Sequence, residues 1–154
     1  MGKTIKEQID TINQRIKELN SLYHIAAIKS DISDGEICIW SVLLESDGKY
    51  SQQDISDLLF LPKQTVNSII SNLVKREFVY LNHVSGTRNR KVICLTEAGR
   101  NYGESKVRWI FQAEEKALEQ TEPEQVQACI EMIEKYSSHL KKSLMKNDMA
   151  KEGV

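Results

Sequence analysis

The chain has little of several features that commonly point to a compartment or a fold class. Its 154 residues include three cysteines and no CxxC pair. Cys38, Cys94 and Cys129 are widely spaced, so the sequence predicts no disulfide framework and is typical of a reducing compartment. No apolar run reaches the ~18 residues that span a bilayer, and the polar N-terminus does not have the pattern of a signal peptide. We therefore expect a cytoplasmic protein.

Motifs that carry catalysis or metal binding are also missing from the sequence. No nucleophile–base pair, glycine-rich phosphate loop or zinc-ligand pattern stands out. His24, His83 and His139 are not paired at i,i+4 with another His or Cys. Each cysteine is predicted to be a buried, inert thiol, because the three lie in an apolar helix, in a predicted strand and beside the C-terminal apolar stripe. The sequence thus predicts a protein that is not an enzyme and that holds no metal or other cofactor.

Charge is distributed unevenly along the chain. The formal net charge is −1, but residues 51–100 carry seven Lys and Arg against four Asp and Glu. Residues 1–50 carry six against eight, and residues 101–154 carry eight against ten. Phosphate binding responds to the local field and not to the charge of the whole chain. The middle third is therefore the candidate for a nucleic-acid-binding surface.

Long helices with apolar stripes are predicted at both ends of the chain. Capping boxes at Thr4-x-x-Glu7 and Thr121-x-x-Glu124 start helices within residues 1–30 and 121–147. Apolar residues then recur at steps of four and three: Ile5, Ile9, Ile12, Ile16, Leu19, Tyr23 and Ala26 in the first, and Val126, Ile130, Ile133, Leu140 and Leu144 in the last. Such stripes are too long for a small core to cover. We expect dimerisation helices of an intertwined homodimer, with burial inside one chain as the alternative.

Residues 33–96 contain three helix starts followed by two short strands. Ser33-x-x-Glu36 is a capping box for a helix to about Glu45, and Ser51 caps a short helix. Pro62 suits the first turn of a helix that runs to about Glu77. Strands near residues 78–82 and 91–95 flank the polar loop SGTRNR, and Thr96 caps a long connecting helix over residues 97–120. This order predicts a winged helix-turn-helix within a single domain that is mainly α with a small β-wing.

The helix from Pro62 has the side chains of a recognition helix. Val66, Ile69, Ile70, Leu73 and Val74 are predicted to face inward. The exposed residues are then Lys63, Gln64, Thr65, Asn67, Ser68 and Ser71, and the predicted wing adds Arg88, Asn89, Arg90 and Lys91. Gln and Asn can pair with adenine edges, Ser and Thr with bases or phosphates, and a wing Arg with a narrow minor groove. We expect these ten residues to bind double-stranded DNA.

The sequence resembles the MarR family of bacterial winged-helix transcription regulators over nearly its whole length. The most specific stretches are QDISDL at residues 53–58, TVNSIISNLVKREFV at 65–79 and LTEAG at 95–99. The resemblance implies a homodimer that binds a pseudo-palindromic operator, usually represses, and is often released by a small-molecule effector. The alternative is a dimeric protein-interaction module or antirepressor that uses the fold without specific DNA binding.

Two positions depart from the family pattern. The family's wing commonly carries Asp-x-Arg, whereas GTRNRK has no Asp, so either Arg88 or Arg90 fills the Arg role. The recognition helix usually ends in Gly, and here Glu77 and Phe78 occupy that place. We therefore expect this helix to end differently and to change the angle of the wing.

An effector pocket is the least specific expectation from the sequence. The resemblance implies a site where the dimerisation helices meet the DNA-binding lobe. Tyr23, His24, Trp40 and Trp109 are the candidate residues, and their aromatic rings with polar tips suit an aromatic or amphipathic ligand. Core packing is the competing explanation for Tyr23 and Trp40.

Overall fold

The computed structural model of the chain describes the backbone of residues 2–151 and the side chains of residues 2–146. Over that range it contains, in order, α1 (Ile5–Ser30), α2 (Asp34–Glu45), α3 (Gln52–Leu59), α4 (Lys63–Lys75), β1 (Val79–His83), β2 (Lys91–Leu95), α5 (Glu97–Leu118) and α6 (Pro123–Lys151). The strands form one two-stranded antiparallel sheet. The predicted fold class, mainly α with a small β-wing, is confirmed.

Two compact units make up the chain, Met1–Phe111 and Gln112–Val154. The first contains α1 to α4, the wing and most of α5, and it holds the hydrophobic core. The second contains the end of α5 and α6. Over the described residues, none of these helices combines the length and the apolar composition needed to cross a bilayer.

Short polar side chains start α1, α2 and α3. Thr4 and Ser51 form capping boxes with Glu7 and Asp54, in which each side chain accepts a hydrogen bond from the other residue's backbone N–H. At α2 only half of the predicted box forms. The Ser33 hydroxyl accepts from Glu36 N–H, but the Glu36 carboxylate accepts from the Trp40 indole at 3.1 Å. Glu36 thus satisfies a buried indole N–H in place of a helix terminus.

The core of the first unit lies where α2, α3, α4, α5 and the wing meet. Its fully buried side chains are Ile39, Trp40, Leu43, Ile55, Val66, Ile70, Leu73, Val79, Ile93 and Val107. Three of the residues predicted to face inward from α4 are therefore buried and Ile69 is half-buried. Val74 is 38% exposed, which corrects that prediction, because it lies at the edge of the buried stripe formed by Val66, Ile70 and Leu73.

The sequence LTEAG joins β2 to α5 through contacts that explain its composition. Thr96 Oγ1 accepts from Gly99 N–H at 2.9 Å and caps α5. Thr96 also donates to Glu77 O at 2.7 Å, and its N–H donates to Phe78 O at 3.1 Å. A Cβ on Gly99 would lie 1.8 Å from Phe78 O. Only glycine lets α5 start so close to the turn between α4 and β1.

A second glycine brings α5 onto α2. A Cβ on Gly103 would lie 2.4 Å from the Trp40 ring. The ring is fully buried, and the Tyr102 ring also lies beside it, with ring centroids 5.7 Å apart. Trp40 is therefore held between α2 and α5 as a structural residue.

Two predicted helix boundaries need correction. Residue Lys75 ends α4, two residues before the predicted end, and Pro62 stands at its N-cap position, just before the first turn. Helix α6 begins at Pro123, and Glu122 O accepts the N–H groups of both Gln125 and Val126. Pro at the first helical position has a suitable φ and no N–H to satisfy, so the helix starts one residue later than a Thr121 cap would place it.

The cysteines differ in exposure, and two of the three predicted to be buried are not. Cys94 lies buried in β2, whereas Cys38 and Cys129 are exposed. Partial desolvation and the nearby Asp34 carboxylate raise the pKa of Cys38, so it is held as a thiol. The prediction of burial was wrong for Cys38 because helix α2 leaves that side of itself uncovered in the single chain.

Candidate nucleic-acid interface

The polar face of α4 is exposed, and its apolar face packs on the hydrophobic core. Buried Val66, Ile70 and Leu73 lie on one side of the helix. Of the predicted DNA-contacting residues on α4, Lys63, Gln64, Thr65, Ser68 and Ser71 are exposed, and Asn67 is half-buried. The structure thus collects the six residues on one helix, with five on open surface and Asn67 at its edge.

The N-terminus of α4 differs from those of the helices before it. Helices α1, α2 and α3 each have a Ser or Thr hydroxyl that accepts a backbone N–H of the first turn. Pro62, at the N-cap of α4, has no side chain that can accept one. The first-turn N–H groups, next to exposed Lys63, therefore remain available to an anion.

The end of α4 shows that Glu77 takes the conformation usually left to glycine. Its φ is +59°, in the left-handed region. Glu77 N–H donates to Val74 O at 3.0 Å, and Phe78 N–H donates to Leu73 O at 3.0 Å. This pair of bonds is a Schellman motif. The expectation that α4 would end differently was wrong, because the surrounding hydrogen bonds hold a glutamate in the glycine conformation.

Strands β1 and β2 form the wing, and their paired residues run from Val79 opposite Leu95 to His83 opposite Lys91. The base of the wing is joined to the segment before α3. Ile93 N–H donates to Tyr50 O at 2.9 Å, and Gly48 N–H donates to Ile93 O at 3.0 Å. At the tip, Gly86 has a φ of +80°, which turns the chain back. The wing is thus anchored at its base and open at its tip.

The four predicted wing residues, Arg88, Asn89, Arg90 and Lys91, are all exposed. Arg90 differs from the others because its Nη2 lies 2.7 Å from Asp54 Oδ2. The hydrogen bond from Ser51 N–H and the one from Arg90 hold the pKa of Asp54 below its ordinary value. Asp54 is therefore charged at neutral pH and pairs with the wing.

Three residues of this surface were not identified as such from the sequence. Asp54 acts in the α3 cap and in the ion pair with Arg90, and only the capping position was readable in the chain. Phe60, in the turn between α3 and α4, is 94% exposed and has a φ of +52°. Its neighbour Leu58 is half exposed. The sequence showed that Leu58 and Phe60 lie between the starts of α3 and α4. It did not show that both side chains would be exposed to solvent.

The four candidate effector residues lie in different surroundings. Trp40 is completely buried, whereas Tyr23 and Trp109 are 37% and 40% exposed. His24 Nδ1 lies 2.9 Å from Asp34 Oδ1, which joins α1 to α2. The Trp109 indole donates to Ser30 Oγ at 2.9 Å, and Ser30 donates to Lys106 O at 2.7 Å. Trp40 offers no surface to a ligand in this conformation, and the pocket stays a prediction.

Comparisons with known proteins give similarity in structure. No protein-family model and no curated protein sequence matches the chain. The structure of NMB1585, a MarR family regulator from Neisseria meningitidis, is 18% identical with a TM-score of 0.79, and the alignment covers 91% of this chain and 98% of that one. The chain has the MarR winged-helix fold.

Further solved structures agree with this assignment. A MarR/EmrR family transcriptional regulator from Acinetobacter sp. ADP1 is 25% identical with a TM-score of 0.70, and the alignment covers 89% of this chain and 96% of that chain. MepR of Staphylococcus aureus, solved in a complex with DNA, is 22% identical with a TM-score of 0.66 and the same coverages. The resemblance to the MarR family noted in the sequence is confirmed, and the MarR fold accounts for both strands of the wing and all six described helices.

Proposed function

We propose that the protein is a sequence-specific DNA-binding transcriptional regulator that acts as a homodimer, most simply as a repressor. The observation that carries the proposal is the surface of α4. On the N-terminal half of α4 the exposed side chains are polar hydrogen-bonding groups with one lysine, Lys63, next to an N-terminus whose N–H groups have no side-chain cap. Such a helix end can bind a phosphate while Gln64 reaches a base edge.

Charge and the wing support the same function. Residues 62–100 carry seven Lys and Arg against two Asp and Glu. The antiparallel wing extends from the same core and ends in exposed cations. A recognition helix in the major groove with a cationic ribbon on the adjacent backbone is the docking geometry of winged helices. MepR, which shares the fold, has been solved with DNA.

The homodimer is proposed from uncovered apolar surface. In the first unit, Ile16, Leu19, Leu22 and Ile28 of α1 are between 50% and 65% exposed. In the second unit, exposed residues of α6 include Ile130, Ile133, Leu140 and Leu144. A soluble single chain rarely exposes so many large apolar side chains in helical stripes. A second copy of the same chain would cover them and would place two recognition helices on one operator.

The test is a binding selection followed by titration. The full-length protein selects duplexes from a random-sequence library, and fluorescence anisotropy then compares the selected duplex with a shuffled one at several salt concentrations. We expect binding that prefers the selected sequence and weakens steeply with salt, because phosphate contacts release counterions. Light scattering of the same sample is expected to give the mass of a dimer.

Failure of this test would favour the protein-interaction module. If no duplex is enriched and binding to random DNA is weak at low salt, the polar face of α4 is a solvated surface and the DNA-binding proposal is wrong.

Release by an aromatic or amphipathic effector is a separate proposal. It predicts that such a ligand lowers the affinity for the selected duplex, which requires different ligand affinity for the two dimer shapes.

A further inference from the structure

Arg90 and Asp54 form an ion pair that joins the wing to α3 across 36 residues of sequence. Asp54 Oδ2, which accepts from Arg90, also accepts the Ser51 N–H at 2.9 Å. One carboxylate oxygen therefore serves the α3 cap and the wing together. The side chains are 43% and 32% exposed, and pairs with that exposure contribute little to global stability. We therefore expect this ion pair to affect the position of the wing more than the stability of the whole protein.

The position of Arg90 in the wing makes that geometry specific. Lys91 is the first residue of β2, at the end of the paired strands next to the tip, and Arg90 O accepts the Val84 N–H at 2.8 Å. Three residues after Arg90, the N–H of Ile93 in β2 donates a hydrogen bond to Tyr50 O. The backbone bond at Ile93 holds the buried part of the wing. The side chain of Arg90 holds the wing at the residue next to the open tip.

Arg88 is in a different situation from Arg90. Its carbonyl accepts a hydrogen bond from His83 Nε2 at 3.2 Å, which holds the backbone of the tip. Its guanidinium is exposed, and within the described residues no ion pair is formed by it. A phosphate can bind Arg88 without breaking a protein contact, whereas Arg90 must give up or share its bond to Asp54.

We propose that Asp54 and Arg90 are positioning residues that hold the wing at a set distance from the recognition helix, and that Arg88 is the wing cation that enters the minor groove. This inference rests on the proposed DNA-binding function. It separates two arginines that the sequence left equivalent. It also assigns a role in DNA binding to a carboxylate, a group that phosphate would repel.

The first test needs no DNA. Hydrogen exchange followed by mass spectrometry measures the amides of residues 84–90 in the full chain. Arg90→Ala and Asp54→Asn are each expected to raise exchange there by about threefold, the change that corresponds to the loss of a partly exposed ion pair. Arg88→Ala is the control and is expected to leave these rates unchanged. Unchanged exchange in both Asp54→Asn and Arg90→Ala would overturn the positioning role.

The second test uses the sign of the effect of Asp54→Asn on affinity for the selected duplex. Removal of a negative charge near DNA should tighten binding if charge alone matters. Loss of a positioned wing should weaken it, and we expect weakening by about threefold. Asp57→Asn is the matched control, because Asp57 lies on the same helix and accepts a hydrogen bond from Gln53 of that helix instead of pairing with the wing. It is expected to bind slightly more tightly than the wild type.

The third test separates the arginines by salt dependence. Arg88→Ala is expected to reduce the slope of log affinity against log salt by about one, because it removes a phosphate or minor-groove cation. Arg90→Ala is expected to weaken binding with the slope unchanged, and the double variant with Asp54→Asn is expected to be no weaker than either single variant. A slope reduced by Arg90→Ala, with tighter binding by Asp54→Asn, would show that Arg90 contacts phosphate.

These outcomes are distinct from a failure of the proposed function. A wild-type chain that binds no duplex would refute the regulator and leave the exchange result as the test of wing positioning. Circular dichroism of each variant checks that α3 still folds, and Ser51→Ala weakens its cap without touching Arg90. If Ser51→Ala reproduces the DNA-binding loss of Asp54→Asn, the cap and not the ion pair is responsible, and the inference is wrong.

Discussion

Single residues in the left-handed region show where this chain departs from ordinary preference. Asp31, Phe60 and Glu77 have φ values between +52° and +59°. Each follows a helix and satisfies carbonyls that the helix end leaves free. A residue with a Cβ loses about 1 kcal/mol or more in this region relative to glycine. Phe60, which precedes α4, and Glu77, which follows it, therefore each carry this conformational cost.

Glu77→Gly is expected to raise the free energy of unfolding by about 1 kcal/mol, because glycine adopts the left-handed conformation without a steric cost. Thermal or urea denaturation measures the change. Glu77→Ala keeps a Cβ and is the control, with an expected change smaller than about 0.5 kcal/mol. Equal stabilisation by both substitutions would show that the carboxylate, and not the backbone, is the source of the strain.

Gln64→Ala is expected to reduce discrimination between the selected and the shuffled duplex by about 1–3 kcal/mol, because Gln64 is exposed on the first turn of α4 and can pair bidentately with adenine. Lys63→Ala is the comparison, since loss of a phosphate contact should weaken both duplexes alike and flatten the salt dependence. Anisotropy titrations on both duplexes give the result. An equal loss on both after Gln64→Ala contradicts a base contact.

At the scale of elements, close approach of helices determines the geometry of the site. Gly99 lets α5 begin against the backbone of Phe78, and Gly103 lets α5 lie on Trp40. The stack of Tyr102 on Phe78, with ring centroids 4.3 Å apart, continues this contact. The guanidinium of Arg76 lies 4.8 Å from the Phe78 ring centroid. The end of the recognition helix is thereby fastened to α5 next to the start of the wing.

Gly99→Ala is expected to destabilise the protein by about 3 kcal/mol, because the added methyl would overlap a backbone oxygen that cannot move without displacing the turn. Gly35→Ala, also within a helix, is the matched control. Its Cβ would lie 3.2 Å from the end of the flexible Ile69 side chain, and the effect should be small. Urea denaturation compares them, and a similar cost at both positions would contradict the account of the LTEAG motif.

At the scale of the whole molecule, a near-neutral chain contains a basic middle segment and two helices with exposed apolar stripes. The net charge of −1 does not oppose DNA binding, because the acidic residues are concentrated in residues 1–50 and 101–154. The stripes on α1 and α6 are the surface that a second copy would cover. Association would also present two recognition helices at half-sites roughly one helical turn, about 10 bp, apart.

Leu19→Glu is expected to shift the protein from dimer to monomer, because a carboxylate in the proposed seam would be buried without a partner. Leu19 is 54% exposed in the single chain, so the monomer should remain folded. Sedimentation at several concentrations measures the mass, and circular dichroism measures the helix content. Leu58→Glu, at an equally exposed leucine outside the stripe, is the control. A dimer that persists in Leu19→Glu would place the interface elsewhere.

Much of the fold was predictable because its signals are local. The Thr4 and Ser51 caps, the periodicity of α4, and the strands on either side of the SGTRNR loop depend on residues within a few positions of each other. The errors also have physical causes. Both Thr121 and Pro123 are helix-start signals, and helix α6 starts at Pro123. The exposure of Val74 and Cys38 depended on which side of each helix packs against a neighbouring element.

The sequence by itself determined the order of elements, the polar face of α4 and the basic character of the middle segment. Tertiary structure decided what depends on residues distant in the chain. It paired Asp54 with Arg90, placed Trp40 beneath Gly103, and held Glu77 in a conformation that its own preference disfavours. Local propensity and charge act within a few residues, whereas contacts between distant residues exist only after the chain has packed.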